Sequence, residues 1–333
     1  MRFREIDLPL VVIVGPTAVG KTEISIQLAE RLNGEIVSAD SRLFYCGMDI
    51  GTAKPTQEER QRVPHHLIDV AEPDEVWSLA IFQQAAYRVI GDIHVRQRLP
   101  FLVGGTGQYV RAIIEGWEVP AQPPDERLRS VIESWADEIG KFELHRCLEV
   151  VDPQAAGRID PHNLRRTIRA LEVIFLTGRR FSEQRRRSRP PYSFLLIGLR
   201  LPRPLLFERI NGRIESMIAN GLVDEVRLLL SRGNSPELPN MSAIGYREIT
   251  ACLKGELTLE EATEQMKRST RQFVRRQANW FKESDTDIQW FEADETAVDR
   301  IEELIRSGEG WVIPESIDPS PGSGQVSHTL NQR

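Results

Sequence analysis

Gly15-Pro16-Thr17-Ala18-Val19-Gly20-Lys21-Thr22 decides how this chain is read. It fits G-x-x-x-x-G-K-[ST], the spacing of a phosphate-binding loop. The flanks matter more than the pattern. Leu10-Val11-Val12-Ile13-Val14 precedes it, an apolar, β-branched run of the kind that forms a buried parallel strand. Ile24, Leu28 and Leu32 follow at a spacing of four, one face of a helix. Gly15 and Gly20 let the backbone wrap a phosphate, and the free N–H groups of the helix start point at it with the helix dipole behind them. Lys21 reaches the outer phosphates and Thr22 offers its hydroxyl to Mg²⁺. A glycine-rich turn with a chance lysine is the plainer alternative; the flanking strand and helix speak against it. The ligand is thus a phosphate chain, and the loop does not say whether it is a nucleotide.

The 333 residues suffice for one large or two ordinary domains, and 40% apolar with 28% charged residues is a soluble, globular balance. No apolar run approaches the roughly 18 residues of a membrane span, and the charged stretch from Met1 to Pro9 carries no secretory signal. Cys46, Cys147 and Cys252 make no zinc spacing and suit a reducing cytosol as small buried side chains. The net charge of −6 argues weakly against a nucleic-acid partner, although local patches decide such binding.

Beyond the loop, Gly34-Glu35-Ile36-Val37-Ser38-Ala39 reads as a second strand ending at Asp40-Ser41-Arg42. In parallel α/β sheets ligands sit beyond the carboxyl ends of strands, which places Asp40 near the phosphate loop. Gly47 to Pro55 is rich in turn formers, His65 to Val70 reads as a short strand, and Ser78 to Arg96 as a helix with Ser78 as N-cap. Pro100 to Val103 is another buried strand running into Gly104-Gly105-Thr106-Gly107 and a helix from Gln108 to Ile114. That is a second strand–glycine loop–helix unit on the same sheet edge.

Val119-Pro120-Ala121-Gln122-Pro123-Pro124 marks a boundary. Asp125 to Val150 reads as an amphipathic helix. From Arg158 to Arg189 ten arginines face three carboxylates, a local charge of +7. Phe194 to Leu199 returns to the sheet as a strand; Leu205 to Leu230 and Thr258 to Lys282 are helical. The second of these ends in Lys267, Arg268, Arg271, Arg275, Arg276 and Lys282 with no acid between them. The Pro/Ser/Gly-rich tail from Pro314 reads as disordered.

The chemistry leaves alternatives open. Asp40 is either a carboxylate holding Mg²⁺ through water or a general base. Arg42 and Lys54 are either phosphate clamps or exposed loop cations. Thr106 either touches substrate or merely makes a turn. His65 and His66 project to opposite sides of a strand and form no ligand face. The arginine-rich insert is a kinase lid, an RNA-binding surface or a solvated face. The second cationic helix favours RNA, since a long polyanion engages several such surfaces. Tyr246, Trp280 and Phe281 either stack on an unpaired base or belong to the core.

Taken together the motifs resemble those of the tRNA dimethylallyltransferase (tRNA isopentenyltransferase) family of bacterial type. The resemblance rests on Gly15–Thr22, Asp40-Ser41-Arg42, Gly47 to Pro55, Pro64-His65-His66, Gly104 to Gly107, Arg166 with Arg169-Ala170-Leu171-Glu172, Gly245-Tyr246-Arg247-Glu248, and Thr270-Arg271-Gln272 with Arg275-Arg276-Gln277 and Trp280. The zinc finger of eukaryotic members has no matching Cys/His spacing here. The implied fold is α/β, a P-loop NTPase-like parallel sheet flanked by helices with an inserted all-helical domain. Residues 1–119 and 193–312 would form the core, its C-terminal part mostly helical, 120–192 a basic insert that clamps tRNA, and 313–333 a disordered tail.

The implied activity moves a dimethylallyl group from dimethylallyl diphosphate to N6 of the adenosine 3′-adjacent to the tRNA anticodon, releasing diphosphate. The loop Gly15, Pro16, Thr17, Ala18, Val19, Gly20, Lys21 and Thr22 would hold the isoprenoid diphosphate rather than ATP, with Mg²⁺ on Thr22. Asp40, Thr22, Lys21 and Arg213 would be catalytic, Asp40 accepting the N6 proton. The tRNA anticodon stem-loop would meet Asp40, Ser41, Arg42, Leu43, Thr106, Arg129, Arg165, Arg166, Thr167, Ile168, Arg169, Ser242, Ala243, Ile244, Gly245, Tyr246, Arg247, Arg271, Arg275 and Arg276. No strong surface stripe suggests a dimer, so a monomer is expected, cytoplasmic by its scattered cysteines, with no membrane and no obligate protein partner. A small-molecule P-loop kinase, or an RNA-binding module gated by a phosphate ligand, remains the competing reading.

Overall fold

The computed structural model describes residues 6–119, 125–184 and 190–313. The apolar run forms β1 (Pro9–Val14), buried from Leu10 onward, and the phosphate loop passes into α1 (Lys21–Leu32). Asn33 ends α1 in the left-handed conformation, φ 54°, one that asparagine tolerates at helix C-termini. Then follow β2 (Gly34–Ser38), α2 (Gln57–Arg62), β3 (His65–His66), α3 (Leu79–Val95), β4 (Leu99–Val103) and α4 (Gly107–Ile114). Ser78 caps α3 by accepting the Ile81 N–H at 3.3 Å, as the sequence predicts.

The insert contributes α5 (Glu126–Ile139), α6 (Lys141–Val151), α7 (Pro153–Ala156) and α8 (Leu164–Thr177), with a short 3-10 turn at Phe181–Gln184. The chain returns through β5 (Ser193–Arg200), α9 (Arg203–Ala219), α10 (Leu222–Ser231), α11 (Tyr246–Leu253), α12 (Leu259–Gln277), β6 (Ile288–Glu292) and α13 (Ala297–Ser307). Among the described residues six strands lie in the order β3-β2-β4-β1-β5-β6, each pairing between them parallel. Val12 pairs with Leu102 on one side and Leu196 on the other, so β1 is central. The inner strands β1, β2, β4 and β5 are buried along nearly their whole length, as parallel strands covered on both faces are, whereas the edge strands β3 and β6 are mostly half-buried.

Three expectations change. The helix expected over Asp125 to Val150 is broken at Gly140, whose φ of 88° and ψ of 151° are far from helical. Leu205 to Leu230 likewise breaks at Gly221, φ 98°. The strand expected over His65 to Val70 stops at His66, because Leu67 and Asp69 adopt φ of 58° and 54°.

Among the described residues two hydrophobic cores result. The larger surrounds the sheet. The smaller, with Ile132, Leu144, Leu148, Ile168 and Leu171, lies between α5, α6 and α8, so the insert carries a core of its own. The three cysteines are free and partly buried. The expected tail beyond Ile313, the boundary prolines Pro120, Pro123 and Pro124, and Arg185, Arg186, Arg187 and Arg189 lie outside the described residues. No described helix is long and apolar enough to cross a membrane.

Candidate active site

β1, β4 and β2 end side by side, and the three segments leaving them build the site. The first is the phosphate loop. A Cβ on Gly15 would stand 2.6 Å from the Leu199 carbonyl oxygen, so β5 admits only glycine there. Gly20 precedes α1 with φ 107° and makes no side-chain cap, leaving the first N–H groups of the helix to a ligand. Lys21 arches back over the loop and donates from Nζ to the carbonyls of Gly15 at 3.0 Å and Pro16 at 2.8 Å. Burial brings its ammonium down to about 8; Asp40 opposes the shift and Arg213 adds to it.

α9 runs alongside and supplies two arginines. Arg213 donates to the Thr17 hydroxyl at 3.3 Å, and Arg209 donates to the Val19 carbonyl at 3.1 Å. Burial lowers the Arg213 pKa, opposed by Asp40 and Glu59.

The second segment carries Asp40. Its Oδ1 accepts the Arg42 N–H at 3.1 Å, an Asx turn that fixes the carboxylate at the end of β2. The third segment, Gly104 to Gly107, is packed against the second. A Cβ on Gly104 would lie 2.4 Å from the Ala39 carbonyl oxygen, and the Thr106 hydroxyl accepts the Ser41 N–H at 3.2 Å. Beneath them Phe44, Phe82 and Tyr109 form a stack with centroids 4.6–5.8 Å apart. Burial, together with Tyr45 and Asp40, lifts the Tyr109 hydroxyl to about 12 against Arg42. Phe44 and Phe82 are fully buried core side chains, and Tyr109 is half-buried against them.

Gln277 was not among the residues expected here. Its Oε1 accepts the Thr17 N–H at 3.0 Å and its Nε2 donates to the Gly105 carbonyl at 3.0 Å, joining two of the three segments. A signal exists in the sequence: Ala262, Met266 and Gln277 share the buried stripe of α12, and a polar amide on such a stripe needs partners. Arg209 and Glu225 also escaped the sequence reading. The Glu225 carboxylate accepts the N–H groups of Asp49, Ile50 and Gly51 and so shapes the Gly47 to Pro55 run. Outside that run, a cavity of about 650 Å³ opens between Ile50, Ala53, Pro55 and the Arg213–Asn220 side of α9.

Several expected contacts fall elsewhere. Lys54 is neither a phosphate clamp nor an exposed loop cation; it is buried among Asp49, Asp69 and the Tyr45 carbonyl, where it closes the turn. Tyr246 is fully buried and Phe281 nearly so, which removes both rings from base stacking. Thr167, Ile168 and Ala243 are buried too, so their side chains do not face RNA. Trp280 is 37% exposed and lies against Gly107, where a Cβ would be 2.2 Å from its Cγ. Arg129 and Arg169 both pair with the buried Glu172, at 3.0 and 2.9 Å. Arg165, Arg166, Ser242, Arg247, Arg275 and Arg276 are exposed. Arg271 donates to Asn211 at 2.9 Å and covers the Phe207 ring. His65 Nδ1 lies 2.8 Å from the Val63 carbonyl and His66 Nε2 2.6 Å from the Glu35 carboxylate.

Fold and site define a P-loop α/β protein with a helical insert and an aspartate facing its phosphate cradle. A family model described as IPP transferase matches residues 43–284, and one described as isopentenyl transferase matches 8–71. A tRNA dimethylallyltransferase of Roseiflexus sp. strain RS-1 is 54% identical over 275 residues, 83% of this chain and 90% of that protein. The crystal structure of the full-length tRNA isopentenylpyrophosphate transferase of Bacillus halodurans is 44% identical, with a TM-score of 0.68 over 91% of this chain and 97% of that one. A eukaryotic dimethylallyltransferase captured acting on tRNA gives a TM-score of 0.76 at 27% identity, over 89% and 77% of the chains. The chain belongs to the tRNA dimethylallyltransferase family.

Proposed function

We propose that this protein transfers a dimethylallyl group from dimethylallyl diphosphate to N6 of the adenosine 3′-adjacent to the anticodon of a tRNA, and releases diphosphate. The observation that carries the reading is the convergence of Asp40, Lys21 and Arg213. Lys21 lies over the loop on the Gly15 and Pro16 carbonyls, Arg213 donates to the Thr17 hydroxyl at 3.3 Å, and the Asp40 carboxylate is held by the Arg42 N–H beyond the end of β2, at the same edge of the sheet.

The donor diphosphate lies in the backbone of Gly15 to Thr22. The N6 lone pair attacks C1 of the allyl group as the C1–O bond breaks, its electron pair leaving on diphosphate. Lys21 and Arg213 offset the charge that grows there. Asp40 takes the proton that N6 sheds and later yields it to water. An adenine amino group is a weak nucleophile, its lone pair being delocalised into the ring, so a positioned base is needed. Water has to be kept from an allylic carbon with cationic character, and the half-buried Tyr109 ring, close enough to Asp40 and Arg42 for both to act on its hydroxyl, supplies apolar surface there. The adenosine is turned out of its loop to reach Asp40, at a cost of a few kcal/mol.

Mg²⁺ would be held at this site by the Thr22 hydroxyl together with phosphate oxygens and water, all hard oxygen donors of the kind it prefers. Once bound it supplies further neutralisation of the leaving group. Residues 120–192 clamp the stem-loop through exposed Arg165 and Arg166 of α8, while Arg275, Arg276 and Arg247 hold it from the other side. The protein acts as a cytoplasmic monomer.

The test is a filter assay with labelled dimethylallyl diphosphate, Mg²⁺ and tRNA lacking the modification, and ATP replacing the donor in a parallel tube. Label retained on tRNA and lost with Asp40→Ala supports the reading. ATP turnover without label on tRNA would assign the chain to the kinases.

A further inference from the structure

α12 ends on the site. Arg275 and Arg276 are exposed in its last turn, yet the next residue, Gln277, is only 6% exposed. Its amide faces inward and spends its acceptor on the Thr17 N–H and a donor on the Gly105 carbonyl. The partners fix which amide atom is which: only oxygen can accept from a backbone N–H, and only nitrogen can donate to a carbonyl. One bond reaches the donor's phosphate loop; the other reaches the loop that positions Thr106 and, through it, Ser41 beside Asp40.

We propose that Gln277 is a positioning residue that couples acceptor RNA on α12 to the donor diphosphate loop, so that each substrate tightens the other. This rests on the site roles proposed above. Three observations support it. The fit is tight: a Cβ at Gly105 would stand 2.3 Å from Gln277 Nε2, and one at Gly107 2.2 Å from Trp280 Cγ, so the helix end cannot shift without moving the Gly104–Gly107 loop. Thr17 is held from two sides, its N–H by Gln277 and its hydroxyl by Arg213. And α12 is tied to the helix that bears Arg213, since Arg271 donates to Asn211 at 2.9 Å. RNA that restrains the Arg275–Arg276 turn therefore restrains the Gln277 amide. A restrained amide holds the Thr17 peptide in the orientation the cradle needs before the diphosphate arrives. Ordering done for one ligand need not be repeated for the second, which is positive coupling. Coupling is reciprocal by thermodynamic necessity.

The experiment uses the full chain, the thiolodiphosphate analogue of dimethylallyl diphosphate, which is slow to react, and an unmodified anticodon stem-loop RNA. Donor Kd is measured with and without saturating RNA, and RNA Kd with and without donor. In the unaltered protein each ligand is expected to tighten the other by the same factor, on the order of tenfold. Gln277→Met keeps length and volume but neither hydrogen bond, and brings the factor to near one. Gln277→Glu keeps the acceptor for Thr17 but sets a carboxylate against the Gly105 carbonyl, and also lowers the factor; it serves if the Met variant melts early. A factor of one in the unaltered protein, or an unchanged factor in a folded Gln277 variant, overturns the proposal. The site reading fails differently: the unaltered protein would then bind donor or RNA no better than Lys21→Ala or Arg275→Ala does.

Discussion

The Tyr246 hydroxyl donates to the Glu225 carboxylate across 2.6 Å, and the same carboxylate takes the N–H groups of Asp49, Ile50 and Gly51 at 3.0, 2.7 and 3.1 Å. One acid of α10 thus satisfies three successive amides of the Gly47 to Pro55 run and one phenol of α11. The ring closes the arrangement: a Cβ on Gly51 would lie 2.6 Å from Tyr246 Cε2. Burial, followed by the charge of Glu225, raises the Tyr246 pKa far above its ordinary value, so the phenol stays a donor at every working pH. Tyr246→Phe is expected to cost about 1.5–3 kcal/mol of unfolding free energy, the range for a hydrogen bond to a charged group. Glu225→Ala strands four donors and costs more. Urea melts would measure both; a Tyr246→Phe protein as stable as the parent would show the bond to be idle.

Asp40 offers a kinetic prediction. Its carboxylate is fixed by the Arg42 N–H and faces Lys21 and Arg213. Removing a general base lowers turnover by about 10²–10⁴. Asp40→Ala should do so with tRNA affinity nearly unchanged, since the phosphate contacts that dominate RNA binding lie elsewhere. Single-turnover rates and filter binding on the same preparation separate the two quantities. Parallel losses in rate and affinity would make Asp40 a structural residue.

Lys21 makes the donor site sensitive to pH. Its pKa of about 8 is below the ordinary 10.5 because burial disfavours the ammonium. Below pH 8 the side chain is charged in both folded and unfolded chains. Between 8 and 10.5 the unfolded chain binds the extra proton, so this group's contribution to folding stability rises with pH across that window. Donor binding has the opposite sign, because a diphosphate favours charged Lys21. The kcat/KM for dimethylallyl diphosphate should therefore fall above pH 8, by about tenfold per pH unit at the limit. Lys21→Arg keeps the charge and should flatten that limb. A profile that stays level to about pH 9.5 in the parent would show that Lys21 does not titrate there.

The sheet and its site edge were legible because their signals are local. Leu10 to Val14 and Phe194 to Leu199 are apolar runs, Gly34 to Ala39 is a short mixed run around Ile36-Val37, and each lies in a strand. Breaks were harder. Gly140 and Gly221 lie inside long amphipathic patterns, and a glycine in such a pattern does not announce whether it will leave helical space. Side-chain destinations were hardest of all. Lys54 looked like a loop cation because Asp69, fifteen residues on, is brought to it only by the fold. Gln277 and Thr17 are 260 residues apart, and no spacing rule connects them. Tyr246 and Arg247 are adjacent in one motif, yet the helix start turns the first inward and the second outward.

That inward–outward split gives the last prediction, on α12. Arg275 is exposed near the helix end, whereas Arg271, one turn earlier, is half-buried, donates to Asn211 and lies over Phe207 with its guanidinium 5.5 Å from the ring centroid. A cation that meets a phosphate releases counterions and contributes roughly 0.7–0.9 to the slope of log K against log salt. A cation already bound to its own protein contributes packing instead. Arg275→Ala should thus weaken tRNA binding and flatten the salt slope by about one unit or slightly less, with the melting temperature unmoved. Arg271→Ala should do the reverse, lowering the melting temperature while leaving the salt slope intact. Filter binding across a salt series and thermal melts on both proteins decide it. An unchanged slope for Arg275→Ala would remove the end of α12 from the RNA interface, and a slope lowered equally by both variants would mean that Arg271 leaves Asn211 when RNA arrives.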